Sequence, residues 1–396
     1  MKKINSNLYI IILSFFAFFS CEDMMDYHKD YTKGGEIVYA PKVDSVIFSS
    51  GKRRIQFQYW LYDSPSVRSI NVYWNNGKDS LEIPIERATI KESHILCDSG
   101  KVMIDNLQEG SYSFHVKTID SSDNYSLKVE GFANSYGANF ENGLSNRRVK
   151  SVSQYAINEN ATIDWYAASE EMIGVEVKYT KKDNQEAIVS LSASSTSMAC
   201  PDAKTDSPFE YRTFFLPEPT AIDTFATDWS FNKTKFPFDR SNWEVIGVSD
   251  EQVSDGGGVK TIIDGIIHAQ GIPSNFWHSR WSPVAPLPHW AVIDMKSPKK
   301  IAMIETFRRW SNNSTRSVEY YVGNEYIPGD MNVDFNKWTK ITEGIFDSNA
   351  SNNRLVLEVS DGLNVAGRYL LIYLRDSNNA QNTQISEIFV CGRSNE

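Results

Sequence analysis

Cysteine is the scarcest reactive residue in this chain: four occur among 396 residues, at positions 21, 97, 200 and 391. Cys97, Cys200 and Cys391 are widely spaced and odd in number, which excludes a disulfide framework. They read as small buried thiols, with Cys97–Cys200 the one bridge left open. Enzyme motifs are missing too: there is no H-E-x-x-H, no G-x-S-x-G, no C-x-x-C and no phosphate-cradling glycine loop. Gly256-Gly257-Gly258 lacks a following Lys-Ser/Thr and reads as a flexible turn. Glu170-Glu171 and Asp250-Glu251 are adjacent carboxylates, but neighbours on a strand face opposite ways, so a glycosidase pair is not supported. The chain is expected not to be an enzyme. Positive charge is also short. A net charge of −10 argues against nucleic acid, whose phosphates need a basic face. No long stretch keeps a 3.6-residue apolar period, which argues against a helical protein.

Long apolar runs are absent as well. Leu8 to Phe19, interrupted only by Ser14, is too short to span a bilayer. Behind Lys2 and Lys3 it reads as the apolar region of a signal peptide. Ser20-Cys21 resembles a bacterial lipobox, although Phe18 stands where leucine is usual. The resemblance implies a lipoprotein signal peptide over residues 1–20, lipidation at Cys21 and a linker over 21–35. The plain alternative is a secretory signal with an incidental cysteine. Glu22-Asp23 resembles the surface-export signal of glycan-degrading Gram-negative bacteria, which implies an outer-membrane lipoprotein facing outward. Several acyl chains on one cysteine anchor far more firmly than a single chain.

What is abundant is aromatic residues, at 13%, and alternation with a period of two. Ile55, Phe57, Tyr59 and Leu61 fall on one strand face, and Ile70, Val72 and Trp74 on the next. Asn76-Gly77 supplies a hairpin turn into Leu81 and Ile83. Tyr112, Phe114 and Val116 form a later strand face, preceded by Leu107 and Gly110. This L-x-x-G-x-Y spacing resembles the tyrosine corner of fibronectin type III modules. Trp165, Val175, Val177 and Tyr179, then Phe209, Tyr211, Thr213 and Phe215, echo the same order. Residues 36–147 and 148–229 therefore read as two immunoglobulin/fibronectin-III-like sandwiches. Residues 36–229 also resemble a family of two-module surface lipoproteins of glycan-degrading bacteria, through Tyr136-Gly137, Leu144-Ser-Asn-Arg147-Arg148, Phe209-Glu-Tyr-Arg212-Thr213 and Leu216-Pro217-Glu218. That family has no assigned activity. Residues 230–237 read as a linker.

The densest constellation lies further on. Between Phe276 and Trp290 stand two histidines, one arginine and three tryptophans. Aromatic faces cover the C–H face of a pyranose, and His and Arg hydrogen-bond its hydroxyls. Trp243–Val248, Ile262-Ile263-Asp264-Gly265, Trp277, Pro288–Asp294, Val318–Val322, Trp338, Arg368–Ile372 and Ile385–Gly392 occur in an order that resembles the discoidin, or coagulation factor 5/8 type C, domain. Its sugar-binding members are family 32 carbohydrate-binding modules. The resemblance covers about residues 235–393, within a domain drawn at 235–396, and implies an all-β chain ending in an eight-stranded β-sandwich jelly roll, with binding loops at one end.

Candidate carbohydrate contacts are Trp277, His278, Arg280, Trp281, His289, Arg308, Arg309 and Trp310. Trp243 and Trp290 read as core, and Trp277 reads equally as core or site. The resemblance also implies a structural calcium, with Asp264 and Glu387 in the ligand positions and Ser274-Asn275-Phe276 where a threonine is usual. The alternative for Asp264 is a turn-capping acid. The expected function is non-catalytic glycan binding at the cell surface, assisting neighbouring glycan-uptake proteins. The alternatives are an adhesin or assembly partner that grips a protein, and a structural spacer.

Overall fold

In the computed structural model residues 35, 37–85, 97–154 and 160–394 are described. The signal peptide, Cys21 and Glu22-Asp23 lie outside the described residues. The chain divides after Gly137 into two compact units, and the second already includes Arg147, which is buried with Nε donating to Tyr166 O at 2.8 Å.

The first unit is built from β1 (Ser45–Lys52), β2 (Ile55–Tyr62), β3 (Val67–Trp74), β4 (Asp79–Pro84), β5 (Cys97–Ile104), β6 (Gly110–Asp120) and β7 (Val129–Tyr136). They pair in the order β4-β3-β6-β7-β1-β2-β5. Period-two alternation is the cause: Ile55, Phe57 and Tyr59 of β2 share a core with Ile70, Val72, Phe114 and Val116, and Leu61 on the same face is buried too. Asn76 and Gly77 hold positive φ in the turn between β3 and β4, and Tyr112 Oη donates to Gln108 O at 3.0 Å, closing the tyrosine corner.

The second unit begins with β8 (Val149–Ser153), β9 (Ala161–Trp165), β10 (Met172–Thr180), β11 (Glu186–Ser192), β12 (Ser197–Cys200), β13 (Phe209–Phe215), β14 (Phe225–Ala226) and β15 (Ser230–Phe231). The sheets β12-β9-β8 and β11-β10-β13-β14 repeat the strand succession of the first unit. The jelly roll follows: β16 (Thr234–Pro237), β17 (Glu244–Val248), β18 (Trp277–His278), β19 (His289–Lys299), β20 (Ile301–Arg308), β21 (Ser317–Gly323), β22 (Trp338–Ile345), β23 (Arg354–Glu358), β24 (Gly367–Leu374) and β25 (Gln384–Arg393). One sheet runs β16-β25-β20-β23 with β18 beside β25, and the other runs β17-β19-β24-β21-β22. Ten strands thus form the sandwich, two of them short additions to the eight expected.

Residues 230–237 are not a free linker. β15 pairs with β13, and β16 pairs with β25. The sheet carrying β20 and β25 is buried on both faces. Ile304, Ile388 and Val390 face the jelly-roll core, whereas Met303, Cys391 and Phe236 join Val152, Ile163 and Val177 in the core of the preceding module. Cys391 Sγ donates to Val152 O at 3.3 Å. Arg354 ties Glu305 of β20 to Asp164 of β9, with Nη2 2.8 Å from Asp164 Oδ2 and 2.6 Å from Ser151 Oγ. Burial pushes Glu305 up to about 7 against the pull of Arg354. Cys97, Cys200 and Cys391 are all free thiols, so the Cys97–Cys200 bridge does not form.

Candidate functional site

Four of the eight expected contact residues are committed to holding loops together. Trp277 is fully buried in the jelly-roll core, with Nε1 donating to Asp250 O at 3.0 Å. His278 is buried: Nδ1 faces Ser279 O, and Nε2 lies 2.6 Å from the Gln384 amide nitrogen. Since Nδ1 faces an acceptor and Nε2 a donor, the ring is the neutral Nδ1–H tautomer, and burial holds its pKa below the usual value. His289 is buried between Asp250 Oδ2 at 2.7 Å and Gln381 O at 2.8 Å. Arg308 is buried, and its guanidinium donates to the carbonyls of Thr315, Asp347, Asn349 and Asn352 at 2.7–3.2 Å. These side chains are buried and offer no face to a ligand, although Arg308 Nε is left without a hydrogen-bond partner. Trp243 and Trp290 are core, as expected.

Asp250 is the post behind much of this. Its carboxylate accepts His289 Nδ1, the Arg280 N–H at 2.6 Å and the Ser249 hydroxyl at 2.9 Å. Burial pushes its pKa up, but those hydrogen bonds outweigh it and leave the group below the usual carboxylate range. Gly256 serves a second seat, and its run is no loose turn. At φ +99° it approaches Phe276 so closely that a Cβ would stand 2.3 Å from the Phe276 carbonyl oxygen.

The other four candidates reach solvent. Trp310 is 36% exposed and Trp281 48% exposed; Arg280 is exposed and Arg309 half-buried. Arg309 lays its guanidinium over the Phe276 ring at 4.5 Å, a cation–π seat that leaves its N–H fork free. His268, which the sequence reading missed, stands edge-on to the same ring at 5.1 Å. Its Nδ1 accepts the Trp310 N–H at 3.3 Å. Burial first, and Arg309 second, lower its pKa against the opposing effect of Asp255. The ring is therefore neutral at pH 7, and its proton sits on Nε2. Asp255, also missed, is partly exposed, with Oδ2 3.8 Å from His278 Nε2. Arg309 and His268 thus pack on Phe276, His268 itself buried, and the exposed Trp310 is tied to this seat by its backbone N–H on His268, with Asp255 nearby. The 264–276 segment holds this arrangement through His268 N–H to Ser386 Oγ at 2.7 Å and Asn275 Nδ2 to Ile266 O at 3.0 Å. Trp281 and Arg280 stand on the separate 279–287 turn. The signal for His268 in the sequence is weak, a lone histidine four residues past the Asp264-Gly265 turn.

Asp264 and Glu387 do not fit a calcium ion as they stand. Both Glu387 oxygens accept from donors: Oε1 from the Arg240 guanidinium and the Ile388 N–H at 2.8 Å, Oε2 from the Gly265 N–H at 2.5 Å. Burial pushes Glu387 up to about 8, against the pull of Arg240. Asp264 is exposed and caps its own turn by accepting Ile266 N–H at 2.9 Å. Calcium needs six or more oxygens turned towards one point, whereas here a guanidinium and two N–H groups point at the carboxylate. Among the described residues no group of three or more His, Cys, Asp or Glu side chains is placed to hold a metal. A cavity of about 550 Å³ opens nearby, lined by Arg240, Trp243, Lys260, Asp264, Gln154 and Thr205. Its aromatic members Phe238 and Trp243 are buried in the core, so the exposed rings identify the site better than the deeper hollow does.

The model of the F5/8 type C domain matches residues 246–388. That of a domain of unknown function, DUF4998, matches residues 21–225, more than half of the chain. No curated protein matches. Solved structures similar to this chain include the C-terminal domain of a chitobiase from Bacteroides fragilis, 26% identical, with 40% of this chain and 99% of that one covered and a TM-score of 0.31. The family 32 carbohydrate-binding module of NanJ from C. perfringens, in complex with galactose, is 17% identical over 38% of this chain and 95% of that one, with a TM-score of 0.29. A SusE-like protein is 10% identical over 90% of this chain and 98% of that one, with a TM-score of 0.33.

Proposed function

This chain belongs to the DUF4998 family and ends in an F5/8 type C domain, and we propose that it is a non-catalytic glycan-binding lipoprotein of the outer membrane. One observation carries the reading: the exposed Trp310 ring follows Arg309, whose guanidinium lies over Phe276, on a loop held by His268, with the partly exposed carboxylate of Asp255 near that histidine. A pyranose needs that set, a flat ring for its C–H face with donors and an acceptor for its hydroxyls. Asp250, the other acid nearby, is spent on His289 and Arg280, which speaks against a catalytic carboxylate pair. A single shallow site of this kind binds in roughly the μM–mM range. Many copies anchored through Cys21 retain polysaccharide by effective concentration and pass it to neighbouring glycan-uptake proteins.

Affinity electrophoresis of the full chain through gels containing galactan, mucin glycans or alginate tests the reading. Retardation by at least one polymer is expected, relieved by Trp310→Ala and Arg309→Ala. Unchanged mobility in every gel overturns it. A protein ligand is the second reading, favoured by the exposed Val253, Ile266 and Ile272 near the same loops. Free monosaccharide restores mobility only under the first reading. Anchoring is tested separately, by whether Cys21→Ala releases the chain from the membrane fraction.

A further inference from the structure

Trp281 lies outside the cluster around Phe276, yet it is the more exposed of the two accessible indoles. Its turn is a fixed structure. Trp281 bridges Val284, and the Ala285 N–H donates to Arg280 O at 2.9 Å. At its base the Arg280 N–H is held by Asp250, itself locked to buried His289. Val284 is exposed beside the indole. An exposed tryptophan on a pinned turn has little conformational entropy to lose on stacking, and packing does not account for it.

Between this turn and the Trp310 loop runs the segment 377–382, hydrogen-bonded to both. On one side Gln381 Oε1 accepts the Leu287 N–H at 3.3 Å, and Gln381 O accepts from His289 Nε2. On the other side Asn378 donates its N–H to Ser314 O at 2.8 Å and its Nδ2 to Asn313 O at 2.8 Å, and Ser377 bridges Thr315. Asn378, Asn379, Ala380 and Gln381 are exposed. Ala380 and Gln381 hold φ of 43° and 68°, left-handed conformations that residues other than glycine rarely adopt and that persist only where the surroundings impose them. An amide-rich ridge therefore stands between two uncovered indoles.

We propose that Trp281 and Trp310 are two stacking platforms of one extended site, with the amides of Asn378–Gln381 between them, and that the ligand is an internal stretch of polysaccharide chain rather than a single terminal sugar. The inference rests on the glycan-binding reading above and adds ligand length to it. The probe is the polysaccharide that retards the full chain in gels, used as polymer and as its partial acid hydrolysate separated from one to six sugars. Titration calorimetry is expected to show affinity rising roughly three- to tenfold from the monosaccharide to a plateau, the gain that one further ring stack supplies. In Trp281→Ala the rise shrinks to within about twofold, whereas Trp281→Phe, which keeps a ring, restores most of it. Trp310→Ala weakens every length. Affinity independent of length, or a rise as large in Trp281→Ala as in the parent, overturns the extended site while leaving glycan binding in place. Failure of every polymer to retard the chain overturns both.

Discussion

Asp250 and Trp310 show how differently two residues serve the same loops. Asp250→Ala removes the partner of fully buried His289 and the anchor of Arg280, so its cost is that of an uncompensated buried pair, on the order of 3–5 kcal/mol. A fall in unfolding midpoint measures it. Trp277→Ala is expected to cost a similar 3–5 kcal/mol as a core cavity. Trp310→Ala exposes no core, so its melting temperature stays near the parent's while glycan affinity drops by roughly three- to tenfold, the worth of one stacked ring. His268 and His278 give a pH signature. Burial is the first cause of lowered pKa in both, so the unfolded chain takes up protons on them first as pH falls. Their contribution to stability is complete above about 6.5, the ordinary histidine value, and declines as pH drops from there through their lower folded values. Glycan retention falls over the same range, since a proton on His268 Nδ1 removes the acceptor for the Trp310 N–H. Urea midpoints and gel retardation at pH 7.5 and pH 5 test both expectations.

At the level of strands, β20 and β25 explain most of the difference between expectation and structure. Their sequences, IAMIETFR and QISEIFVCGR, lack the clean alternation of β2, and an uninterrupted apolar run is the mark of a strand covered on both sides. Period-two strands with one wet face were legible at once, and the Ile55–Leu61 and Tyr112–Val116 faces lie where the pattern put them. A second covering layer was not legible, because nothing local in a strand names its neighbour. The same limit applies to the loop residues. Composition marked 276–290 as rich in rings, but which rings turn outward depends on Asp250, Gly256 and the 377–382 segment, all distant in sequence. Arg354 is the clearest consequence. Arg354→Met leaves Glu305 buried without its cation, and a loss of about 3–5 kcal/mol is expected by denaturant unfolding. Among the described thiols, Cys97 is half-buried, whereas burial pushes Cys200 up to about 12 and raises Cys391 well above its ordinary value. Iodoacetamide is therefore expected to reach Cys97 first in the native chain.

On the scale of the whole chain, shared core between the second sandwich and the jelly roll makes residues 138–396 one cooperative body. Calorimetry is expected to resolve two transitions, one for each compact unit, rather than the three that separate modules would give. A fragment starting at residue 235 bares Met303, Cys391 and Phe236, and it should aggregate where 138–396 stays soluble. The Arg240–Glu387 pair adds an expectation for metal. Millimolar calcium or a chelator should leave the melting temperature of the full chain within about one degree, because the carboxylate is already satisfied by donors.

β25 starts at the loops around the exposed indoles and ends in register with β16. Drag on a polymer held as proposed would therefore enter lengthwise along one strand. Load of that kind shears many ladder bonds together instead of peeling them singly, so the grip should outlast the flow that tests it.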